Sequence, residues 1–527
     1  MLLTLSCLTR TAVACVSPGG AFVSLYAPND RGRRSSPQPQ RAEIEPSMKP
    51  RPINLLLVAL LLGSLARLVA AESKPNVLLI LSDDHSYPHV GCYGNTDIMT
   101  PNLDRFAAEG MRFDRAYVTC PQCVPSRASI FTGRSPVAIA MSRFSAPLPR
   151  EIKTYPEALR AAGWFTGVAG RMYHMDGANV NVAESQTVFD HHKLVTFPDR
   201  LNYVKTGNGS EVGLAQFREF LDLKPASKPF FLQLCSNDPH RPLNTQGPGK
   251  HDPLKIKLPA HYPDTHLVRE DFARYYDEIA HFDVFFGEVM AELEKRGLAA
   301  NTLVAFMGDN GASQFRGKGT LYEFGIHVPL LVRWPGKLKP GSATAELISG
   351  EDLAPTFLAA AGLPVPPEMT GQSFAKLLRG EPFAGRRFVF AERGAHGTNL
   401  PGNSADFDLG RVVVSKTHKL IYNALGALPY WPVDFSRDAF WQELVQKHEA
   451  GKLDAKFTQL YFSKPRPMFE LYNLEKDPDE FNNLAGTKDA ANLERELKAT
   501  LQEWMILQRD FLPLPVPARR VGSRSEK

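Results

Sequence analysis

The sequence predicts an α/β fold: a large, mostly parallel or mixed sheet sandwiched by helices, then a smaller C-terminal α+β subdomain of antiparallel strands and a helix. Three observations predict it. Short apolar runs ending in Asp, Asn or Gly alternate with helix-like segments from about Lys74 to residue 382, as strands buried on both faces do in a parallel sheet. One segment, about Asp271 to Arg296, carries apolar residues at helical spacing along its length. After about Phe383, strand-like runs follow one another closely and a helical segment closes the pattern.

In chain order, Asn76 to Leu81 is the first strand and ends in Ser82-Asp83-Asp84. Thr100 is placed to cap a helix through Glu109, with Pro101 at its first position. A helix near Tyr155 to Ala162 leads to a strand near Phe165 to Val168. The strand Phe230 to Leu234 ends at Asn237-Asp238-Pro239-His240. The long helix presents Phe272, Tyr275, Ile279, Phe282, Phe286, Val289 and Leu293 as one packing face. Leu303 to Phe306 is a strand ending in Gly308-Asp309-Asn310-Gly311, followed by a strand Val328 to Val332 and a helix Leu353 to Ala361. Beyond residue 383, Phe388 to Phe390, Arg411 to Val414, Lys419 to Tyr422 and Leu471 to Leu474 are short strands, and Leu493 to Leu507 is a helix. This reading gives a main domain over 74–382, a subdomain over 383–515 and a flexible tail over 516–527.

Composition sets the class. With 527 residues, 43% hydrophobic and 22% charged, the chain is a large folded protein and neither disordered nor fibrous. The net charge of +5 is spread thinly, and no basic block is dense enough to argue for nucleic acid. From Met48, the basic Lys49 and Arg51 precede an apolar stretch, Ile53 to Leu62, and Val69-Ala70-Ala71 supplies small residues before Glu72. That is the layout of a cleaved export signal over 48–71, too short for a stable membrane span. It predicts a periplasmic or secreted protein. Residues 1–47 read as a disordered or artefactual extension. Of six cysteines, Cys7 and Cys15 lie there, leaving Cys92, Cys120, Cys123 and Cys235, which is no disulfide scaffold.

Two polar pairs, Asp83-Asp84 and Asp309-Asn310, follow apolar strands. Ligands collect beyond the carboxyl ends of strands in open α/β sheets, so the pairs are placed to converge. Three carboxylates and an amide oxygen are hard ligands that suit Ca²⁺ or Mg²⁺ better than zinc. Taken singly, such residues are ordinary turn formers. In Cys123-Val124-Pro125-Ser126-Arg127, Pro125 suits the first helical position and sets Cys123 just outside a helix N-terminus. Backbone N–H groups there, with Arg127 one turn on, favour a bound anion.

The run from Cys123 through Pro125, Ser126 and Arg127 to Phe131-Thr132-Gly133-Arg134 resembles the sulfatase signature, with Phe131 where Leu is usual. The resemblance runs from about Lys74 into the C-terminal region. It is nearest to sulfamidases, the sulfatases acting on N-sulfoglucosamine, through Asp238-Pro239-His240-Arg241, Asp309 to Lys318, Leu321-Tyr322 and Phe469 to Asn473 before Asp477-Pro478. It implies that Cys123 is oxidised to formylglycine by a separate maturation enzyme. Asp83, Asp84, Asp309 and Asn310 then hold Ca²⁺, with residue 123 completing the shell. Arg127 braces the aldehyde hydrate, and Arg171, His174 and Lys318 bind sulfate and neighbouring groups. Asp238 and Arg241 bind the substrate. His240, with a pKa near neutral, donates the leaving-group proton. Arg171 stands where Lys is usual, and Lys318 where sulfamidases carry Arg. The substrate implied is a sulfated saccharide of the glycosaminoglycan kind, N- or O-sulfated.

Other readings stay open at this point. Cys120 and Cys123 form a C-x-x-C pair, and with His85 and His89 offer four zinc donors. A phosphate mono- or diester hydrolase of the same superfamily, or a non-catalytic binder of sulfated glycans, uses much of the same architecture.

Overall fold

β1 (Asn76–Ser82) is buried at every position, and its two neighbours in packing explain why. Val77, Leu79 and Leu81 enter one apolar cluster, while Leu78 and Ile80 enter another on the opposite face. Side chains alternate across a strand, so only a continuous apolar run serves both faces. Each such side chain contributes about 1.5–3 kcal/mol on burial.

The computed structural model describes residues 74–143, 147–171, 173–176, 183–244, 250–396 and 407–515. The extension over 1–47, the export signal over 48–71, Met172 and the tail over 516–527 lie outside the described residues.

Further strands are β2 (Met111–Phe113), β3 (Ala116–Tyr117), β4 (Phe165–Gly170), β5 (Tyr203–Val204), β6 (Phe230–Cys235), β7 (Thr302–Gly308), β8 (Leu330–Arg333), β9 (Ser342–Thr344) and β10 (Ile348–Ser349). Eight of them form one sheet in the order β5-β4-β6-β1-β7-β8-β2-β9, and β3 pairs with β10. β5 through β7 in that order are parallel, and β8 runs antiparallel to both its neighbours.

Helices α1 (Pro101–Glu109), α2 (Cys123–Thr132), α3 (Tyr155–Ala161), α4 (Ser210–Leu223), α5 (His266–Lys295) and α6 (Leu353–Ala360) cover the sheet. Phe106, Phe217 and Phe282 bring α1, α4 and α5 to the face of Leu78 and Ile80. Phe131, Tyr155 and Phe357 bring α2, α3 and α6 to the face of Leu79.

A second sheet, antiparallel throughout, joins β11 (Val389–Arg393), β12 (Gly410–Val414), β13 (His418–Asn423) and β14 (Phe469–Asn473) in that order. Helix α7 (Ala439–Glu449) falls between β13 and β14, and α8 (Ala491–Leu507) follows. Val413, Leu420 and Leu471 pack on Leu497, Leu501 and Met505 of α8. Val412, Val414 and Ile421, on the other side of the same strands, join the main core.

Two local expectations change. α5 begins earlier than residue 271 because the Thr265 hydroxyl accepts from Val268 N and caps it. Thr100 does not cap α1 with its side chain: its Oγ1 accepts from Gly91 N at 2.8 Å and donates to Asp104, drawn away by the preceding loop. No helix among the described residues is long and apolar enough to cross a membrane.

Candidate active site

The parallel register that sets Ser82 of β1 opposite Gly308 of β7 makes Asp83-Asp84 and Asp309-Asn310 neighbours at two adjacent strand ends. All four side chains are closed off from solvent. Asp84 N donates to Asp309 Oδ1 at 3.1 Å, and Asn310 Nδ2 donates to Asp84 Oδ1 at 2.8 Å. Asp84 has φ 63, a left-handed conformation that needs support from its surroundings. Tyr275 of α5 gives it: the hydroxyl donates to Asp84 O and accepts from Ser86 N, both at 3.2 Å. This aromatic is therefore more than the packing residue its spacing suggests.

Cys123 is the first residue of α2 rather than the residue before it, and Pro125 falls two residues further in. The early N–H groups of a helix have no partner within it, so a proline there loses nothing. Cys123 Sγ lies 3.4 Å from Asp83 Oδ1 and 3.9 Å from Asp84 Oδ1. Asp83, Asp84, Asp309 and Cys123 each offer a ligand atom, all within 4.8 Å of one another.

Three cations close the cluster. Arg127 reaches Asp83 Oδ2 at 2.9 Å and Asp309 Oδ2 at 2.8 Å, and its Nη1 donates to Cys235 Sγ at 3.0 Å. Arg171, just past β4, lies 2.9 Å from Asp83 Oδ2 and donates to Asn237 Oδ1 at 2.7 Å. Lys318 Nζ sits 3.0 Å from Asp84 Oδ1 and 2.7 Å from Asp434 Oδ2. His240 Nε2 is 3.7 Å from Asp84 Oδ2. Its Nδ1 lies against Arg241 O; a carbonyl only accepts, so Nδ1 carries the proton in the neutral ring. His174 is buried at φ 62.

Crowding of charge shows in the acidities. Burial opposes ionisation of Asp83, yet Arg171 and Arg127 hold its carboxyl far below the usual range. Burial, with Asp83 adjacent, pushes Asp84 and Asp309 up to about 6. Burial raises the Cys123 thiol well above its ordinary value, and Asp83 adds to it. Burial, then Lys318 and Arg171, lowers His240 to about 4, so the near-neutral value expected from sequence does not hold for the free site. Burial and the two arginines also keep His174 neutral.

Asp238 and Arg241 point elsewhere. Asp238 Oδ2 accepts from Ser210 Oγ at 2.9 Å and lies 2.8 Å from His281 Nδ1. Arg241 pairs with Asp271 and Asp438 and donates to Ser313 O. Both brace the turn that carries His240. The zinc grouping does not assemble: His85 is bound to Ser82 Oγ and His89 O, and His89 to Tyr276. Cys120 and Cys123 are both free thiols.

Sequence reasoning missed Asp434 and His396. Asp434 lies beside Lys318, and His396 Nε2 is 3.5 Å from Asp434 Oδ1. Neither sits in a recognisable pattern; only the fold brings them from the C-terminal part. A cleft of about 680 Å³ has His240 and Asp434 in its wall.

The family model described as Sulfatase matches residues 75–363, more than half of the chain. The chain belongs to the sulfatase family. It is accordingly a sulfuric ester hydrolase, and the cluster at Cys123 lies within the matched region. An ulvan-active sulfatase of Formosa agariphila is 27% identical over 480 residues, 86% of this chain and 78% of that protein. Human arylsulfatase A is 31% identical over 390 residues, 63% of this chain and 73% of its own. Human N-sulphoglucosamine sulphohydrolase is 28% identical over 469 residues, covering 81% and 89%. Among solved structures, BT4656 in complex with its substrate D-glucosamine-2-N,6-O-disulfate superposes with a TM-score of 0.60 at 21% identity, over 84% of this sulfatase and 100% of that chain. A phosphonate monoester hydrolase of Agrobacterium radiobacter gives 0.62 at 18% identity, over 82% and 96%. At such identities the structures share the fold.

Proposed function

We propose that this sulfatase removes sulfate from a sulfated carbohydrate, with a formylglycine made from Cys123 by a maturation enzyme and a bound Ca²⁺. The observation that carries the reading is the contact of Cys123 Sγ with Asp83 and Asp84 at the first turn of a helix. As a thiol, residue 123 is a poor nucleophile, because burial keeps it protonated. Oxidised to formylglycine, it supplies a hydrated aldehyde with one hydroxyl to attack sulfur and a second to release sulfate by reforming the carbonyl.

The residues fit a hard divalent cation. Three carboxylates meet in a dry cluster, two of them pushed up to about 6 by burial and by the neighbouring Asp83. The buried Asn310 Oδ1 accepts no hydrogen bond among the described residues. Asp83, Asp84, Asp309, Asn310 and residue 123 would hold the ion; Mg²⁺ satisfies the same donors. When bound, it neutralises charge on the sulfuryl oxygens.

The chain's own groups do the rest. Arg127 fixes Asp83 and Asp309 relative to α2. Arg171, Lys318 and His174 receive the sulfuryl group, their donors preorganised by burial. His240 takes up a second proton, at Nε2, when the anionic substrate binds beside it, and gives that proton to the leaving oxygen or nitrogen, returning to the neutral ring protonated at Nδ1. Asp238 and Arg241 hold its turn in register. The leading substrate is a glycosaminoglycan-type saccharide bearing N-sulfoglucosamine, supported by the pattern around His240 and by a sulfohydrolase relative that covers most of the chain. We read residues 48–71 as an export signal, 74–382 as the catalytic domain and 383–515 as its subdomain.

Sulfate release from defined N-sulfated and O-sulfated glucosamine saccharides tests the reading. Release from either supports a carbohydrate sulfatase, and the ratio assigns the linkage. Turnover of an aryl phosphate with none of the matched aryl sulfate would favour the phosphate ester alternative instead.

A further inference from the structure

Asp434 enters the site from the segment before α7, and sulfate hydrolysis by itself calls for no carboxylate there. Its Oδ2 lies 2.7 Å from Lys318 Nζ and 3.9 Å from His240 Nε2, and its Oδ1 faces His396. Lys318 thus spans two carboxylates, Asp84 and Asp434.

The position is built. Asp434 has φ 69, a conformation that costs a non-glycine residue energy and persists only where neighbours enforce it. Ser313 Oγ donates to Val433 O at 3.3 Å. Gly319, at φ +81, has Val433 so close that an added Cβ would come within 2.4 Å of it. Ser313 thus holds the Val433 carbonyl, and the Val433 side chain rests on the residue next to Lys318. With 28% of its side chain exposed, Asp434 faces the cleft it shares with His240.

Charge decides what this carboxylate does. In the ion-paired cluster, Arg127, Arg171 and Lys318 face Asp83, Asp84, Asp309 and Asp434. A divalent cation among the first three carboxylates leaves one positive charge in excess with Asp434 present, and two without it. A sulfate ester or a sulfamate carries a single negative charge, whereas a phosphate monoester carries about 1.5–2 at neutral pH. We propose that Asp434 is a specificity-determining residue that matches the site to singly charged esters and works against doubly charged phosphate monoesters. The inference rests on the reading of the site given under Proposed function. Such discrimination by an unfavourable charge is a general route to specificity.

The test uses the Ca²⁺-loaded enzyme with formylglycine at 123, at about pH 8. It compares kcat/KM for 4-nitrophenyl sulfate, 4-nitrophenyl phosphate and bis(4-nitrophenyl) phosphate. Asp434→Asn should raise the phosphate-monoester to sulfate ratio by about 10-fold or more, the scale of one unit charge acting at short range near a protein surface. The diester to sulfate ratio should hold within about 2-fold, and Asp434→Glu should keep the wild-type pattern. Asp434→Ser repeats the measurement should the Asn variant fold poorly. Calorimetric binding of phenyl phosphate against phenyl sulfate to a Cys123→Ala background gives the same ratio without turnover. Equal loss on all three esters, or unchanged ratios, overturns the proposal and leaves Asp434 as a mere support for Lys318. Absence of sulfate turnover in the wild type would sink the underlying reading, while the calorimetry still decides Asp434.

Discussion

Arg127 Nη2 donates to Asp83 Oδ2 at 2.9 Å, and neither side chain is exposed to solvent. The same guanidinium reaches Asp309, so one cation ties the end of β1 to the end of β7. Removing it leaves buried Asp309 without its ion-pair partner and buried Asp83 with Arg171 alone. Arg127→Ala should destabilise the protein by about 3–5 kcal/mol, read as a lower urea midpoint. Arg127→Lys should recover only part of this, because a single ammonium lacks the fork that spans both acids. A loss of under about 1 kcal/mol, the scale of a surface pair, would contradict the arrangement.

Ca²⁺ should raise the melting temperature and a chelator should lower it. Binding to the folded state alone stabilises by about 2.7 kcal/mol at 100 times the dissociation constant. Asp309→Asn should blunt the response. An identical melting curve with and without Ca²⁺, in protein shown to be metal-free at the start, would speak against the assigned ligands.

His240→Ala should lower kcat about 10²–10⁴-fold on a saccharide, whose leaving group needs a proton. The loss should be much smaller on 4-nitrophenyl sulfate, whose leaving group departs unprotonated. Equal losses on both would move His240 from proton donor to sulfate binder.

His281 of α5 lies 2.8 Å from Asp238, and that hydrogen bond raises its pKa against the effect of partial burial. A raised value in the folded state means the contribution is complete below the unfolded value of about 6.5 and fades as pH rises through the folded one. The melting-temperature gap between wild type and His281→Gln should therefore be widest below about pH 6.5 and shrink above it. A gap that widens with pH would reverse the assignment.

The convergence of the two acidic pairs was legible from sequence because it depends on a general rule of parallel sheets and on apolar runs that mark their own ends. Register was not, since any shift of β7 keeps the apolar pattern; only the pairing of Ser82 with Gly308 fixes which acids meet. Cys123, Arg127 and Lys318 carry local pattern. Asp434 and His396 do not, and Tyr275 carries only a packing pattern, because the fold brings each to the site from a distant segment. Asp238 and Arg241 share the His240 pattern yet turn away, held by His281 and Asp271. Proximity in sequence places a backbone near a site; side-chain partners decide where it points.

The nucleophile is the most direct point of attack on this account. Protein from a host with the maturation enzyme should show, by peptide mass spectrometry, a loss of about 18 Da at residue 123, the change from thiol to aldehyde. The converted fraction should scale with sulfate released per mole of protein, and Cys123→Ala should fold normally and release none. Full turnover from protein whose residue 123 is wholly cysteine would contradict it.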